Sequence, residues 1–388
     1  MIKSLRYWCV ALLLAFSFHC CFATVSHAQS ILDIFEKPMP KMEGEDYDTF
    51  VKNSKFEEEY PVGSRDLSYE VRLPQDWEKA EGVSMSSLVV DDNILSTINK
   101  YWGPVSTGTR HYMTVQVVGL KVQMTAKDWF VRYILDNQYT VQGVDVIDDR
   151  DAEALYIFVQ DNVSYVTRSR VIISGKKVIF VQHYLPIEEW HDNKVAQAHM
   201  LKSFQLKYPS EEVVEELLAA QMLDIAEFKY PETWELKPGA MRSVDRVKSQ
   251  LLNVDKSPTG QRILDGQIDL QLVSVFATEG IEEELDNIQD DLVKRGLFIQ
   301  EEMDDHTQYM FDGTDLVGTT YVYQLADKNM SIKAYEYWIT IMAYGDYFYF
   351  MTLTTPSRET DFFKWSRNVQ TYQTVSRYFK NIETSALE

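Results

Sequence analysis

Residues 72–82 read RLPQDWEKAEG and residues 229–239 read KYPETWELKPG. Pro74, Trp77, Glu78 and Gly82 of the first stretch stand in one register with Pro231, Trp234, Glu235 and Gly239 of the second, 157 residues later. A strand that runs into a proline loses a ladder donor and stops, and the tryptophan that follows has the bulk of a core residue. Whether this unit is written twice decides the architecture, because an internal repeat constrains domain boundaries better than single-residue propensities do.

Further landmarks recur in the same order. Tyr165, Gly175 and Pro186 match Tyr335, Gly345 and Pro356 at an offset of 170, and Trp190 with Phe204 matches Trp365 with Phe379 at an offset of 175. SYEVRLP and EFKYPETW alternate as opening strands, while DDNILSTINKYW (91–102) and SVDRVKSQLLNV (243–254) carry the spacing of a short helix. RHYMTVQVVGLKVQM and GQIDLQLVSVFA are strand-like. Thr125 with Asp128 is a start signal for a helix that carries Trp129, Phe130 and Ile134 and stops near Asn137. In the second copy Ile281, Leu285, Ile288 and Leu292 fall on one face of a helix closed by Gly296.

Each copy then continues into several strands, the second with an added run VGTTYVYQLADKNM, and ends in a helix. The expected fold class is α/β of the α+β type: two tandem modules, each an antiparallel β-sheet packed with helices. The expected boundaries are a polar tether over 29–65, a first module over 66–207, an acidic connecting helix over 208–225, a second module over 226–381 and a tail over 382–388.

The N-terminus opens with Lys3 and Arg6 ahead of an apolar run to about Ala23, then Ser26, His27 and Ala28. A basic region, an apolar core and a small-x-small site predict a secretory signal over 1–28, and the run is short for a membrane span. Membrane association is expected only if this segment stays uncleaved. All three cysteines, Cys9, Cys20 and Cys21, lie within it, so a cleaved chain has no thiol chemistry and no disulfide. That pattern suits a periplasmic or secreted bacterial protein.

Removing Lys3 and Arg6 from 38 basic residues leaves 36 against 59 acidic ones, a net charge of −23. Such a field opposes nucleic acid and anionic lipid surfaces. An aromatic content of 13% argues against disorder and for a filled, sheet-based fold.

An opening strand ending in Pro-x-x-Trp, a helix, an antiparallel run of strands and a closing amphipathic helix ending in an aromatic together resemble the PsbP-like family. The residues that carry the likeness are Tyr69 to Trp77 with Trp190 to Phe204, and Phe228 to Trp234 with Trp365 to Phe379. The resemblance implies an antiparallel sheet between helices and a role in binding, as an accessory subunit or assembly factor. Members of that family mostly have one such module, and this chain departs from that pattern by having two.

Each copy places a Thr-Gly-x-Arg before its central strand: Thr107, Gly108 and Arg110, then Thr259, Gly260 and Arg262. A glycine turn exposes amide hydrogens, and an arginine fork beside it suits a carboxylate or phosphate of a ligand or partner. The opposing reading is a tight turn whose arginine makes a local ion pair. His183, His191 and His199 cluster in sequence with Glu188, Glu189 and Asp192, yet His191 and His199 are two helical turns apart, too far for one zinc ion. The acidic runs at 148–151 and 301–305 lack the alternation and glycine of a calcium loop.

Tyr347 to Phe350 are aromatic without alternation, the pattern of a strand buried on both faces. There is no nucleophile elbow, no phosphate-binding loop and no dinucleotide glycine pattern. The reading is an exported, non-enzymatic binding or assembly factor of an envelope complex, with a protein partner, no nucleic acid, no cofactor and no metal. The alternative is a periplasmic hydrolase or metal-dependent enzyme built on His183 and His191.

Overall fold

The computed structural model describes residues 35–81, 90–106, 109–238, 245–257, 259–310, 317–328 and 334–382. The predicted signal, its cysteines, Thr107, Gly108 and residues 383–388 of the tail lie outside them.

The first module begins with helix α1 (Tyr47–Asn53) and strands β1 (Ser54–Glu59), β2 (Tyr69–Pro74), β3 (Glu78–Lys79), β4 (Ser96–Ser106) and β5 (Thr109–Gly119). Helix α2 (Ala126–Asn137) leads into β6 (Thr140–Asp148), β7 (Asp151–Gln160), β8 (Val163–Ser174) and β9 (Lys177–Pro186), then helix α3 (Ile187–Ser203) and β10 (Gln205–Leu206). The second module runs β11 (Leu217–Met222), β12 (Ala226–Pro231), β13 (Glu235–Pro238), β14 (Arg246–Lys256), β15 (Arg262–Ser274), helix α4 (Ile281–Lys294), β16 (Leu297–Met310), β17 (Val317–Asp327), β18 (Tyr335–Tyr344), β19 (Tyr347–Pro356), helix α5 (Phe362–Arg377) and β20 (Lys380–Asn381).

Each module holds one seven-stranded and one three-stranded antiparallel sheet. The large sheets are ordered β3-β4-β5-β9-β8-β7-β6 and β13-β14-β15-β19-β18-β17-β16, and the small ones β1-β2-β10 and β11-β12-β20. Adding ten to every strand of one module gives the other. The small sheet and the closing helix, α3 or α5, cover one face of the large sheet; α2 or α4 lies on the other.

Strand alternation assigns residues to these faces. In the first module Met113, Val115, Val117, Ile179 and Val181 join Tyr69, Val71, Leu73, Trp77, Met200, Leu201 and Phe204 in one core. Val118, Val171, Val178 and Phe180 join Trp129, Phe130 and Ile134 in the other. Trp77 and Trp234 are both buried, so the Pro-x-x-Trp unit is a strand stop followed by a core anchor. Gly175 and Gly345 adopt φ of 58° and 56° in the turns between β8 and β9 and between β18 and β19, where a side chain would be strained. Thr125 caps α2 by accepting from the Asp128 amide at 3.0 Å.

Four expectations are corrected. Residues 96–106 form β4 and not a helix: a bulge between Thr97 and Asn99 lets Ile98 and Tyr101, three apart, both turn inward, which mimics helical spacing. Residues 246–256 form β14 because Ser249 occupies the core position between Val247 and Leu251, hiding the period of two. The expected connecting helix is absent. Residues 208–216 have no regular structure and Leu217–Met222 is β11, paired from Leu217 opposite Pro231 to Met222 opposite Ala226, so edge pairing overrides a high helix propensity. Part of the expected tether is likewise structured: Phe50 on α1 is buried, and β1 pairs along β2 from Ser54 opposite Pro74.

The modules touch. Phe362 and Phe363 at the start of α5 pack on the core beneath α2, and the Arg132 guanidinium lies 4.0 Å from the centre of the Phe363 ring. Buried Glu215 ties both modules, accepting from the Gln123 amide at 2.7 Å and from the Thr233 hydroxyl. The outer side of α2 is therefore covered by the second module.

Candidate partner-binding surface

Arg110 and Arg262 occupy equivalent places at the start of β5 and β15. Arg110 donates from Nε to the Gly103 carbonyl at 2.6 Å and pairs with Glu78 at 3.5 Å. Arg262 pairs with Glu235. Glu78 and Glu235 are the residues that follow Trp77 and Trp234, so strand pairing joins the two recurring motifs. Thr259 and Gly260 sit in an exposed turn, with Gly260 at φ 79° and its amide donating to the Ser257 carbonyl at 2.8 Å. Thr107 and Gly108 lie outside the described residues. Exposed pairs of this kind contribute little to stability.

Next to Arg110, the face of the large sheet beyond α2 carries a row of aromatic rings. Trp102 on β4 stands opposite Tyr112 on β5, and Tyr112 opposite Tyr184 on β9. Tyr165 on β8 stands opposite Phe158 on β7. Tyr112 and Tyr184 stack with centroids 4.2 Å apart, and Phe158 stacks on Tyr165 at 5.5 Å. Tyr139 closes the row, 5.2 Å from Phe158. Trp102, Tyr112, Phe158, Tyr165 and Tyr184 are all half-buried, so no described helix or loop covers the row fully.

Lys100 points along the same face, with Nζ 3.8 Å from the Trp102 centroid and 4.3 Å from that of Tyr112. Burial holds its pKa below the ordinary lysine value. Among the described residues no carboxylate comes within ion-pair distance of Lys100, so ring faces supply its stabilisation. Burial raises the Tyr112 and Tyr184 hydroxyls well above their ordinary pKa, keeping both neutral hydrogen-bonding groups. The result is a half-buried row of stacked and edge-to-face rings with hydroxyls along it and two cations at one end.

The histidines separate in space. His183 is buried on β9, edge-on to Trp77 at 4.9 Å, with neither ring nitrogen bonded. His191 is exposed on α3. His199 donates from Nε2 to the Glu45 carbonyl at 2.7 Å. The imidazole that meets a carboxylate is His111, against Glu189. Among the described residues no three His, Cys, Asp or Glu side chains gather as a metal site would require. No described helix is long and apolar enough to cross a membrane.

No family model matches the chain, and no curated protein does. Solved structures do. Cyanobacterial PsbP (CyanoP) from Synechocystis sp. is 14% identical, covering 43% of this chain and 98% of that one with a TM-score of 0.29. The Saccharomyces cerevisiae Ran-binding protein Mog1p is 9% identical, covering 39% and 96% with a TM-score of 0.28. The type VI secretion immunity protein TplEi from Pseudomonas aeruginosa is 11% identical, covering 82% and 95% with a TM-score of 0.21. The likeness to PsbP is one of fold.

The aromatic row escaped the sequence reading. Its members are spread over five strands from Trp102 to Tyr184, and only the strand order brings them together.

Proposed function

We propose that the chain is an exported, non-enzymatic binding protein that holds a protein partner in a bacterial envelope complex. The observation that carries this reading is the half-buried row Trp102–Tyr112–Tyr184–Tyr165–Phe158 with Lys100 set on its end. Aromatic side chains supply large contact area at low entropic cost, and such residues dominate the energetics of protein interfaces. Lys100 and Arg110 at one end of the row favour a partner with a carboxylate beside an apolar patch. Arg262 offers the matching contact on the second module.

The test uses the mature chain immobilised against envelope extract, with quantitative comparison of retained proteins. Changing Trp102 and Tyr112 together to Ala should reduce the retention of one defined complex at least tenfold, and changing Arg110 and Arg262 to Ala should weaken it and its salt dependence. Urea unfolding checks that these surface changes leave the fold intact. An unchanged retained set would overturn the reading, and so would stoichiometric zinc in the purified protein.

A further inference from the structure

The helix-covered face of the large sheet is filled in one module and open in the other. In the first, Trp129, Phe130 and Tyr133 of α2 close on Phe180, with ring centroids 5.1, 5.5 and 4.7 Å apart. The matching helix α4 carries no aromatic side chain. Leu292 is buried, while Ile281, Leu285 and Ile288 are left at the edge of the core. Between them and Tyr321, Tyr323, Tyr337, Ile339 and Ile341 of the sheet lies a cavity of about 510 Å³. That is within the range of about 300–1,000 Å³ typical of small-molecule sites.

Ile288 and Tyr337 also line a second cavity of about 560 Å³, and this one is polar. Its charged residues are Arg246, Lys248, Lys294 and Arg295 against Asp269, Glu284 and Asp291, four cations to three carboxylates. In a chain of net charge −21 a cationic surplus is unexpected by composition. Its location is clear from the pairing. Glu284 is fully buried and gives both oxygens to Arg246, at 2.5 and 2.7 Å. Lys294 pairs with Asp291 at 3.0 Å. Lys248 and Arg295 share the single carboxylate of Asp269, at 3.4 and 3.3 Å, and Asp269 also accepts from Gln250 and Gln267 at 2.8 Å. Asp269 thus bridges two cations, with Asp291 acting on both from a greater distance, in the polar cavity that adjoins the apolar one at Ile288 and Tyr337. The far end has the opposite sign, for Glu302 stands opposite Tyr323 across β16 and β17.

We infer that the cleft between α4 and the second module's sheet binds a free long-chain carboxylate, with the alkyl chain among Leu285, Ile288, Ile339 and Ile341 and the carboxylate between Lys248 and Arg295. Burial of each methylene drives binding, and the uneven charge fixes the orientation. The surface repels anionic membranes, so the ligand is the free acid in solution and not a bilayer.

The test is calorimetric titration of the whole chain with palmitate below its aggregation concentration, beside methyl palmitate and anionic phospholipid vesicles. The wild type should bind palmitate in the micromolar range at one site, bind the ester at least tenfold more weakly and ignore the vesicles. Ile288→Trp, which fills the apolar cavity, should abolish binding; Ile341→Phe, a smaller filling, should weaken it several-fold. The pair Lys248→Gln with Arg295→Gln should bring palmitate down to the affinity of the ester. No palmitate binding, equal affinity for acid and ester, binding that survives Ile288→Trp in a folded chain, or binding to vesicles in place of the free acid would each overturn the assignment.

Discussion

His183 supplies a prediction whose magnitude follows from its surroundings. The imidazole is 2% exposed, neither nitrogen has a hydrogen-bond partner among the described residues, and the ring packs edge-to-face with Trp77. Burial, with the nearby His111 as a second cause, pushes its pKa from 6.5 down to about 3. The sign follows from linkage. Above pH 6.5 both folded and unfolded chains hold a neutral imidazole, and this group costs nothing on protonation grounds. Below 6.5 the unfolded chain takes up a proton that the folded chain refuses, so stability falls until the pH reaches about 3. Between pH 7.5 and 5.0 the loss amounts to about 2 kcal/mol, a figure set mainly by the unfolded value.

The second module carries Leu353 at the equivalent position, itself fully buried, so His183→Leu fits a place the fold already accepts. The variant should lose that pH dependence and, at pH 7.5, gain about 1–3 kcal/mol from removing unpaired buried nitrogens, less the lost contact with Trp77. Urea unfolding at pH 7.5 and 5.0, followed by tryptophan fluorescence, gives both numbers. If variant and wild type lose the same stability between the two pH values, the buried neutral imidazole is the wrong description.

Three further outcomes are expected. Glu336 is 1% exposed and accepts from Arg358 at 2.8 and 2.9 Å, from Trp365 at 2.8 Å and from Trp338 at 3.2 Å; Glu336→Ala removes the carboxylate that gathers these donors around the half-buried Arg358 and should cost about 1.5–3 kcal/mol in urea unfolding. A Cβ at Gly143 would stand 2.8 Å from the Met39 Cα and the Pro38 carbonyl oxygen, so Gly143→Ala should lift residues 35–39, expose Phe35 at a cost of about 1.5–3 kcal/mol, and open a proteolytic site there. Glu215→Ala removes the carboxylate that bridges Gln123 and Thr233, and should split a single calorimetric transition into two as the modules lose their coupling.

What the sequence made legible was local. The cap at Thr125, the turns at Gly175 and Gly345, and the apolar stripes of α2 and α4 all rest on interactions within a few residues, and each stands where its pattern placed it. The failures have a common cause in distant partners. β4 looked helical because a bulge facing β5 brings Ile98 and Tyr101 inward together, and β11 looked helical because nothing in LLAAQM announces the strand it will pair with. The candidate surface followed the same rule. The places of Arg110 and Arg262 were readable, but their pairing with Glu78 and Glu235 needed the β3–β4–β5 and β13–β14–β15 order.

The two modules share every strand and differ in what they put on the α2/α4 face. Leu252 opposite Gln267, and Gln267 opposite Thr354, occupy the places of Trp102, Tyr112 and Tyr184, so the aromatic row belongs to the first module alone. Where the first module has filled its helix-sheet slot with Trp129 and Phe130, the second has left a cleft. A protein surface and a small-molecule site on separate modules share no residue, and changes at distant sites add in free energy unless a two-state element links them. The contact between Arg132 and Phe363 is part of the direct packing between α2 and α5. Partner retention and palmitate affinity measured in Trp102→Ala, Ile288→Trp and the double variant decide between these cases. Independent modules give a double variant whose two losses equal those of the singles; a palmitate-dependent change in partner retention, absent in Ile288→Trp and in Arg132→Ala, would show that the α2–α5 contact couples them.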